Sequence, residues 1–338
     1  MSTIEWMRAK QFFGSLGGFI DNVEPRIGSR GRGLFAIEPK HECRVFCPKS
    51  ILLDTRHIDY NDSGQMCIRE NANISSELKN FYEFYYNYWC WNGGGRTEAL
   101  TFFENLLSLR IDFRHKLVAN GLLAARFARP TIDEESLFKR YIYTRTARYE
   151  GLQVLAPIFD LVNHSAFAQP FRNTSTGIET PRRVDNQELL QKYSSMMSPL
   201  GVWNHYGFSC KSTVAYSLPV TIINPSSPYI IECLGEQVPS SNSKGNNISI
   251  NGETLTIRSF PIGSVSRKLS SSTLHAILQP LGISQDSIFN IMRKLWDFNY
   301  EQRIEMLQQA HQSTTGKVVE LDKALRLELA LIGNSCIT

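Results

Sequence analysis

The sequence contains no run of lysine and arginine, no apolar stretch of membrane-spanning length and no Cys-x-x-Cys pair. Each absence removes a class of protein. With a net charge of only +4 over 338 residues and no basic tail, direct nucleic-acid binding gains little support, although a basic groove for a peptide stays open. Nothing is long and apolar enough to cross a bilayer. The opening segment MSTIEWMRAKQFF carries Glu5, Arg8 and Lys10, unlike a secretory leader. The seven cysteines are odd in number and scattered from Cys43 to Cys336, which fits free thiols in a reducing compartment and predicts an intracellular protein, cytoplasmic or nuclear. Cys43 and Cys47 lack a second pair or a well-placed histidine, so no metal site is expected. There is no GxxxxGK[ST], and the glycine-rich run at residues 28–33 precedes a strand instead of following one, which speaks against a phosphate cradle.

What is present is a globular composition, with 42% hydrophobic and 20% charged residues, enough for a large domain or a domain plus a smaller lobe. Residues 2–14 have the pattern of a short amphipathic helix ending in glycines. In Gly28–Lys40, GSRGRGLFAIEPK, three glycines stand before the strand-like Leu34-Phe35-Ala36-Ile37, where they permit a tight turn or the close approach of a ligand. Residues 43–53 predict a strand, a turn and a strand end. The aromatic-rich residues 76–91 predict a helix buried on most of its surface, followed by a flexible Asn92-Gly93-Gly94-Gly95. Helices are expected over 97–113 and 117–127, and again from a cap at Asp133 through Tyr149, with Phe138, Ile142, Arg145 and Tyr149 on one face. An arginine on a partly apolar face points to an anionic partner.

Residues 169–186 have turn composition, and 188–193 read as a strand. Beyond Lys211 the texture changes. Strands are expected within 214–231 and 248–257, separated by a polar low-complexity loop, and helices over 272–278, 286–296, 300–311 and 317–332. The boundary between two domains is placed near Cys210.

The segment Gln153–Ser165, QVLAPIFDLVNHS, brings polar groups to the end of an apolar run. Asp160, Asn163, His164 and Ser165 need partners there. They form either an ordinary strand end and turn or one wall of a polar site.

Taken in order, these pieces resemble the SET-domain methyltransferases of the Rubisco large-subunit methyltransferase branch. The residues that carry the resemblance are Trp6, RGRGLFAIEPK, VFCPKSILLD, Arg145, VLAPIFDLVNHS, the strand ending at Tyr193 and WNHYGF, together spanning about residues 4–210. Two departures are visible: Tyr193 is followed by SSMMS where the family has Tyr-Gly, and the segment between Ser165 and Tyr193 lacks the family's acidic and aromatic landmarks.

The resemblance implies an α+β fold, in which a SET domain of small β-sheets (residues 1–210, with a helical insertion at about 70–140) precedes a mostly α-helical substrate-binding lobe (211–338). It implies S-adenosylmethionine as cofactor, lying against Arg30, Gly31, Arg32 and Gly33, with Asn163 and His164 at its amino and adenine parts, Arg145 at its carboxylate and Phe208 stacked on the adenine. Arg148 is the rival for the carboxylate. Tyr206 would orient the acceptor amine and contact the cofactor, with Tyr193 as the second catalytic candidate. The implied partner is a protein substrate carrying a lysine, with no nucleic acid or membrane and the chain acting as a monomer. A related class that methylates histidine on actin lacks the tyrosine of the YGF motif, so Tyr206 favours lysine. A catalytically silent protein-binding module is the alternative of a different kind.

Overall fold

The structure, a computed structural model, describes residues 3–182, 184–185, 187–193, 197–225, 227–236, 248–266, 268–312 and 318–335. It is α+β, with several small sheets and helices packed around them. The chain divides into two compact units, one formed by residues 1–103 and 131–195, the other by 104–130 and 196–338. Cys210 falls within the second of these. Among the described residues, no helix is long and apolar enough to cross a membrane.

In the first unit, the glycine run turns out to be strand as well as turn. Val23–Gly28 and Gly31–Ala36 form an antiparallel hairpin closed by the pair Gly28 and Gly31, and Gly31 sits at φ 85°. The strand Gly31–Ala36 pairs on its other side with Glu188–Gln191, which in turn takes Asn163–His164 as a parallel neighbour. Alternation of buried and half-buried residues over Arg44–Pro48 is the period of a strand with one face in the core. This strand is central in a sheet ordered Phe19–Asp21, Arg44–Pro48, Gly177–Glu179, Arg172–Thr174. The last two strands form a hairpin inside residues expected to be turns only.

The aromatic helix begins at Ser76, where the Ser75 hydroxyl accepts from Leu78 N at 3.1 Å, a standard N-cap. From Glu83 it continues as a π-helix that buries Tyr85, Tyr86, Trp89, Cys90 and Trp91 and breaks at Gly94. The glycines expected to be flexible form a kink, with Gly94 at φ 123°, between this helix and the next. The Arg32 guanidinium orders them by donating to the carbonyls of Cys90 and Gly93 at 3.4 and 3.5 Å.

Three helix expectations are corrected. Residues 97–113 are two helices, Arg96–Ser108 and Ile111–Ala119, separated by extended backbone at Arg110. Beyond Ala119 the chain turns at Asn120-Gly121 and has only the short helix Ala125–Phe127 before Pro130. Asp133 does cap a helix, its Oδ1 accepting from Ser136 N at 2.6 Å, but the helix Glu134–Tyr143 ends six residues before Tyr149. Thr146–Tyr149 instead forms a hairpin with Leu152–Leu155. Its two-residue loop, Glu150-Gly151, has positive φ at both positions, the turn whose twist matches paired strands. Arg145 therefore lies between a helix and a strand, and Arg148 is an exposed strand residue.

In the second unit, the helix Pro199–Tyr206 starts with Ser198 as cap and stops at Gly207, which takes the left-handed conformation. Six strands follow in two sheets, Val214–Tyr216 with Pro261–Ser264, and a four-stranded sheet ordered Val220–Ile222, Ile230–Cys233, Thr254–Ile257, Ile248–Asn251. Ile231, Leu255, Ile257, Ile262, Leu274, Ile291, Leu295 and Ile332 meet in its core. The low-complexity loop lies outside the described residues.

The two helices expected over 286–296 and 300–311 are one 28-residue helix, Gln285–Gln312. Asn299 and Arg303, one turn apart, look like a break in the apolar pattern. Both are buried, and their polar atoms are satisfied inside. Arg303 donates to Glu328 Oε2 at 2.6 Å, to Asn299 Oδ1 at 2.8 Å and to the Tyr216 carbonyl at 2.6 Å. Glu328 also accepts from Leu200 N, and Asn299 from Leu218 N. Removing one member of such a pair leaves the other charge buried alone, so Arg303→Met is expected to destabilise the protein by about 3–5 kcal/mol. Denaturant unfolding of the two proteins measures this; a loss of less than about 1 kcal/mol would mean that the pair contributes only what a surface ion pair does.

Candidate functional site

The site is built where the glycine hairpin meets the end of the apolar run. Asn163 Nδ2 donates to the Arg32 carbonyl at 3.1 Å and to Glu188 Oε1 at 2.8 Å. Arg30 reaches the other oxygen of Glu188 at 2.7 Å, and the Glu188 side chain is only 4% exposed. This approach depends on Gly33. A Cβ there would stand 2.6 Å from Asn163 Nδ2 and 2.7 Å from Glu188 Oε1, so any side chain would push the carboxylate and the amide apart. Asn163 Oδ1 receives no hydrogen bond from the described residues and is available to a donor such as an ammonium.

His164 is buried next to it. Its Nδ1 accepts from Tyr193 N at 3.1 Å, which assigns the proton of the neutral ring to Nε2. Burial, reinforced by the positive charges of Lys192 and Arg30, pushes its pKa down to about 4. The ring is therefore neutral near pH 7. Tyr193 lies 5.1 Å away, centroid to centroid, and its hydroxyl donates to the Val162 carbonyl at 2.8 Å. Burial raises this phenol above its ordinary value, so it remains a hydrogen-bond donor.

Arg145 finds its anionic partners within the chain. It is ion-paired with Glu98, donates to Thr144 Oγ1 at 2.7 Å and lies flat over the Tyr141 ring at 3.7 Å. Its Nε is 3.9 Å from Asp160 Oδ2, too far for a hydrogen bond. Asp160 accepts from the Tyr85 hydroxyl at 2.5 Å, and that hydroxyl accepts from Ile158 N at 2.8 Å. Ile158 is held at φ 74°, a region a β-branched residue enters only under constraint. Burial raises the Asp160 carboxyl against the pull of Arg145.

Arg145 Nε and the facing Asp160 Oδ2 are both buried without a hydrogen-bond partner, and elsewhere in the first unit so are Tyr86 Oη, Trp89 Nε1 and Gln191 Oε1. Folded proteins seldom leave such groups unpaired. Asn163 Oδ1 is an acceptor of the kind an ammonium needs, and Arg145 carries a planar fork of the kind a carboxylate pairs with. Such a carboxylate would displace half-exposed Glu98. Among the described residues, no group of three or more His, Cys, Asp or Glu is arranged to hold a metal ion.

Tyr206 and Phe208 belong to the second unit. Tyr206 is the last residue of the helix Pro199–Tyr206, stacked on Phe208 at 5.9 Å with the His205 ring edge-on at 4.4 Å. Sequence reasoning missed Glu188, Glu98, Tyr85 and Tyr141. Glu188 did leave a signal, as a carboxylate opening an otherwise apolar strand.

No family model matches the chain, and no curated protein does. Solved structures similar to it include Rubisco LSMT bound to AdoMet (14% identity, TM-score 0.47, 99% of this chain and 93% of that chain). Two others are Rubisco LSMT bound to sinefungin and monomethyllysine (15%, 0.46, 99% and 89%) and the SET domain of LSMT bound to lysine and AdoHcy (15%, 0.45, 98% and 88%). At such identity, function has to be argued from the residues themselves.

A titration follows from His164. Its folded pKa lies below the unfolded value, so as pH falls from about 6.5 toward 4 the unfolded chain takes up the proton first and stability is lost. Wild-type protein is expected to lose about 2–3 kcal/mol more than His164→Asn between pH 7.5 and 4.5, at 1.36 kcal/mol per pKa unit. Unfolding curves at the two pH values test this, and parallel losses in both proteins would show that His164 is protonated in the folded state.

Proposed function

We propose that the chain is an S-adenosylmethionine-dependent protein N-methyltransferase whose acceptor is a lysine amine. The observation that carries this reading is the hydrogen bond from Asn163 Nδ2 to the Arg32 carbonyl. Two motifs separated by 131 residues, both among the pieces that together resemble SET-domain enzymes, are in direct contact. Gly33 allows that contact, and the neutral His164 adds no positive charge beside a cationic sulfonium.

The cofactor supplies a methyl group made electrophilic by the sulfonium. The protein must hold the cofactor's amino-acid end, exclude water and present an amine that has lost its proton. Asn163 Oδ1 accepts from the ammonium, and Arg145 pairs with the carboxylate through its planar fork. The backbone of Arg30 to Gly33 forms the wall of the site, and Phe208 is assigned to the adenine. Tyr206 is assigned the phenol that orients the lysine and offsets the charge that moves during transfer. What supports this is the chemistry of the group and its place in WNHYGF. Tyr193 is the second tyrosine of the acceptor channel.

Calorimetry with S-adenosylmethionine is the first test, with Asn163→Ala expected to weaken binding about tenfold or more, the value of a hydrogen bond to a charged group. Wild-type protein that binds no cofactor would overturn the reading. A second test separates binding from chemistry. Tyr206→Phe should bind the cofactor normally and lose about a hundredfold in turnover, as expected if one transition-state contact contributes about 3 kcal/mol. Mass spectrometry of the product should place the methyl on lysine. Full turnover by the variant, or a methyl on histidine, would remove Tyr206 or lysine from the proposal while leaving the cofactor site intact.

A further inference from the structure

The first unit has a cleft of about 510 Å³ lined by residues that play no part in the site above, including Lys40, Glu42, Arg172, Glu179 and Arg182. At its base the Glu179 side chain is only 3% exposed and serves three guanidiniums. Arg44 Nε is 2.6 Å from Oε1, Arg182 Nη2 is 3.3 Å from the same oxygen, and Arg172 pairs with Oε2. Burial by itself would raise the Glu179 carboxyl. The hydrogen bonds from Arg172 and Arg44 outweigh it and hold the group below its ordinary value, so Glu179 is ionised near pH 7.

One carboxylate cannot neutralise three guanidiniums, so positive charge is in excess around Glu179 among the described residues. Glu42, 3.5 Å from Arg182, offsets little more than Lys40, which has no acidic partner among the described residues. The arginines are 41%, 66% and 49% exposed at Arg44, Arg172 and Arg182, so donors not spent on Glu179 remain open to solvent. A buried carboxylate that anchors several planar forks also pre-organises them, which reduces the entropy lost when they bind a ligand.

We propose that this cleft is an anion site that takes the phosphate group of a small ligand. The lining carries Lys40, Arg172 and Arg182 against Glu42 and Glu179, an excess of positive charge that favours an anion, and guanidinium forks bind phosphate oxygens in pairs. The volume is that of a small-molecule site and leaves room for an organic portion beyond the phosphate.

The test is calorimetry of the full chain with inorganic phosphate and with glycerol phosphate, at constant ionic strength, against chloride and acetate as controls. Both phosphates should bind saturably, and tighter binding of glycerol phosphate would identify a phosphate monoester as the ligand class over free phosphate. Arg172→Gln with Arg182→Gln should weaken binding about tenfold or more, with unfolding curves showing that the variant is folded. Should the double variant not fold, Arg182→Gln alone leaves Glu179 paired with Arg44 and Arg172 and should still weaken binding. Phosphate binding that is absent, no stronger than acetate, or unchanged in a folded variant would overturn the proposal. Cofactor binding is not part of this readout, so its result stands apart from that of the methyltransferase reading.

Discussion

The first unit depends on one buried carboxylate. Glu188 cannot lie inside a sheet without partners, and it finds them in Arg30 and Asn163. Glu188 and these two partners come from three separate parts of the chain. To satisfy them together, the strand Glu188–Gln191 must pair with Gly31–Ala36 on one side and with Asn163–His164 on the other, and Gly33 must carry no side chain. A register slip in either pairing would leave a charge buried without a partner. The hydrogen bond that places Asn163 against the glycine hairpin is thus a consequence of how the sheet accommodates Glu188.

Two buried arginines show how differently packing can satisfy the same side chain. Arg303 has every neighbour it needs, a carboxylate, an amide and two carbonyls, all within the second unit. It closes a network and leaves nothing for a ligand. Arg145 is paired on one side by half-exposed Glu98 but leaves its Nε unpaired opposite an unpaired Asp160 oxygen. The same side chain is fully satisfied in one case and incompletely paired in the other. The difference lies in the accounting of donors and acceptors, which residue type alone does not reveal.

The cationic cleft around Glu179 falls between these cases. Its carboxylate is buried and fully used, while its arginines remain half-exposed and in excess. A charge cluster in this condition has its geometry set from within and its charge still to be balanced from outside.

Local patterning determined much of the fold. The capped helices at Ser75 and Asp133, the alternating strand at Arg44–Pro48 and the helices of the C-terminal region follow from periodicity and capping that short stretches contain. The polar end of QVLAPIFDLVNHS was also legible, because Asp160 and Asn163 in an apolar run need partners wherever they fold. Tertiary structure decided the rest. It ended the helix before Arg145, since a Glu150-Gly151 turn let Thr146–Tyr149 pair as a hairpin. It ran one helix through Asn299 and Arg303, since polar residues interrupt a core pattern only until their partners arrive from elsewhere. It also chose which carboxylate each arginine meets. Such pairings join residues more than a hundred positions apart, as Arg30 with Glu188 and Arg44 with Glu179 do, and no local propensity records them because their energy exists only once the sheets have formed.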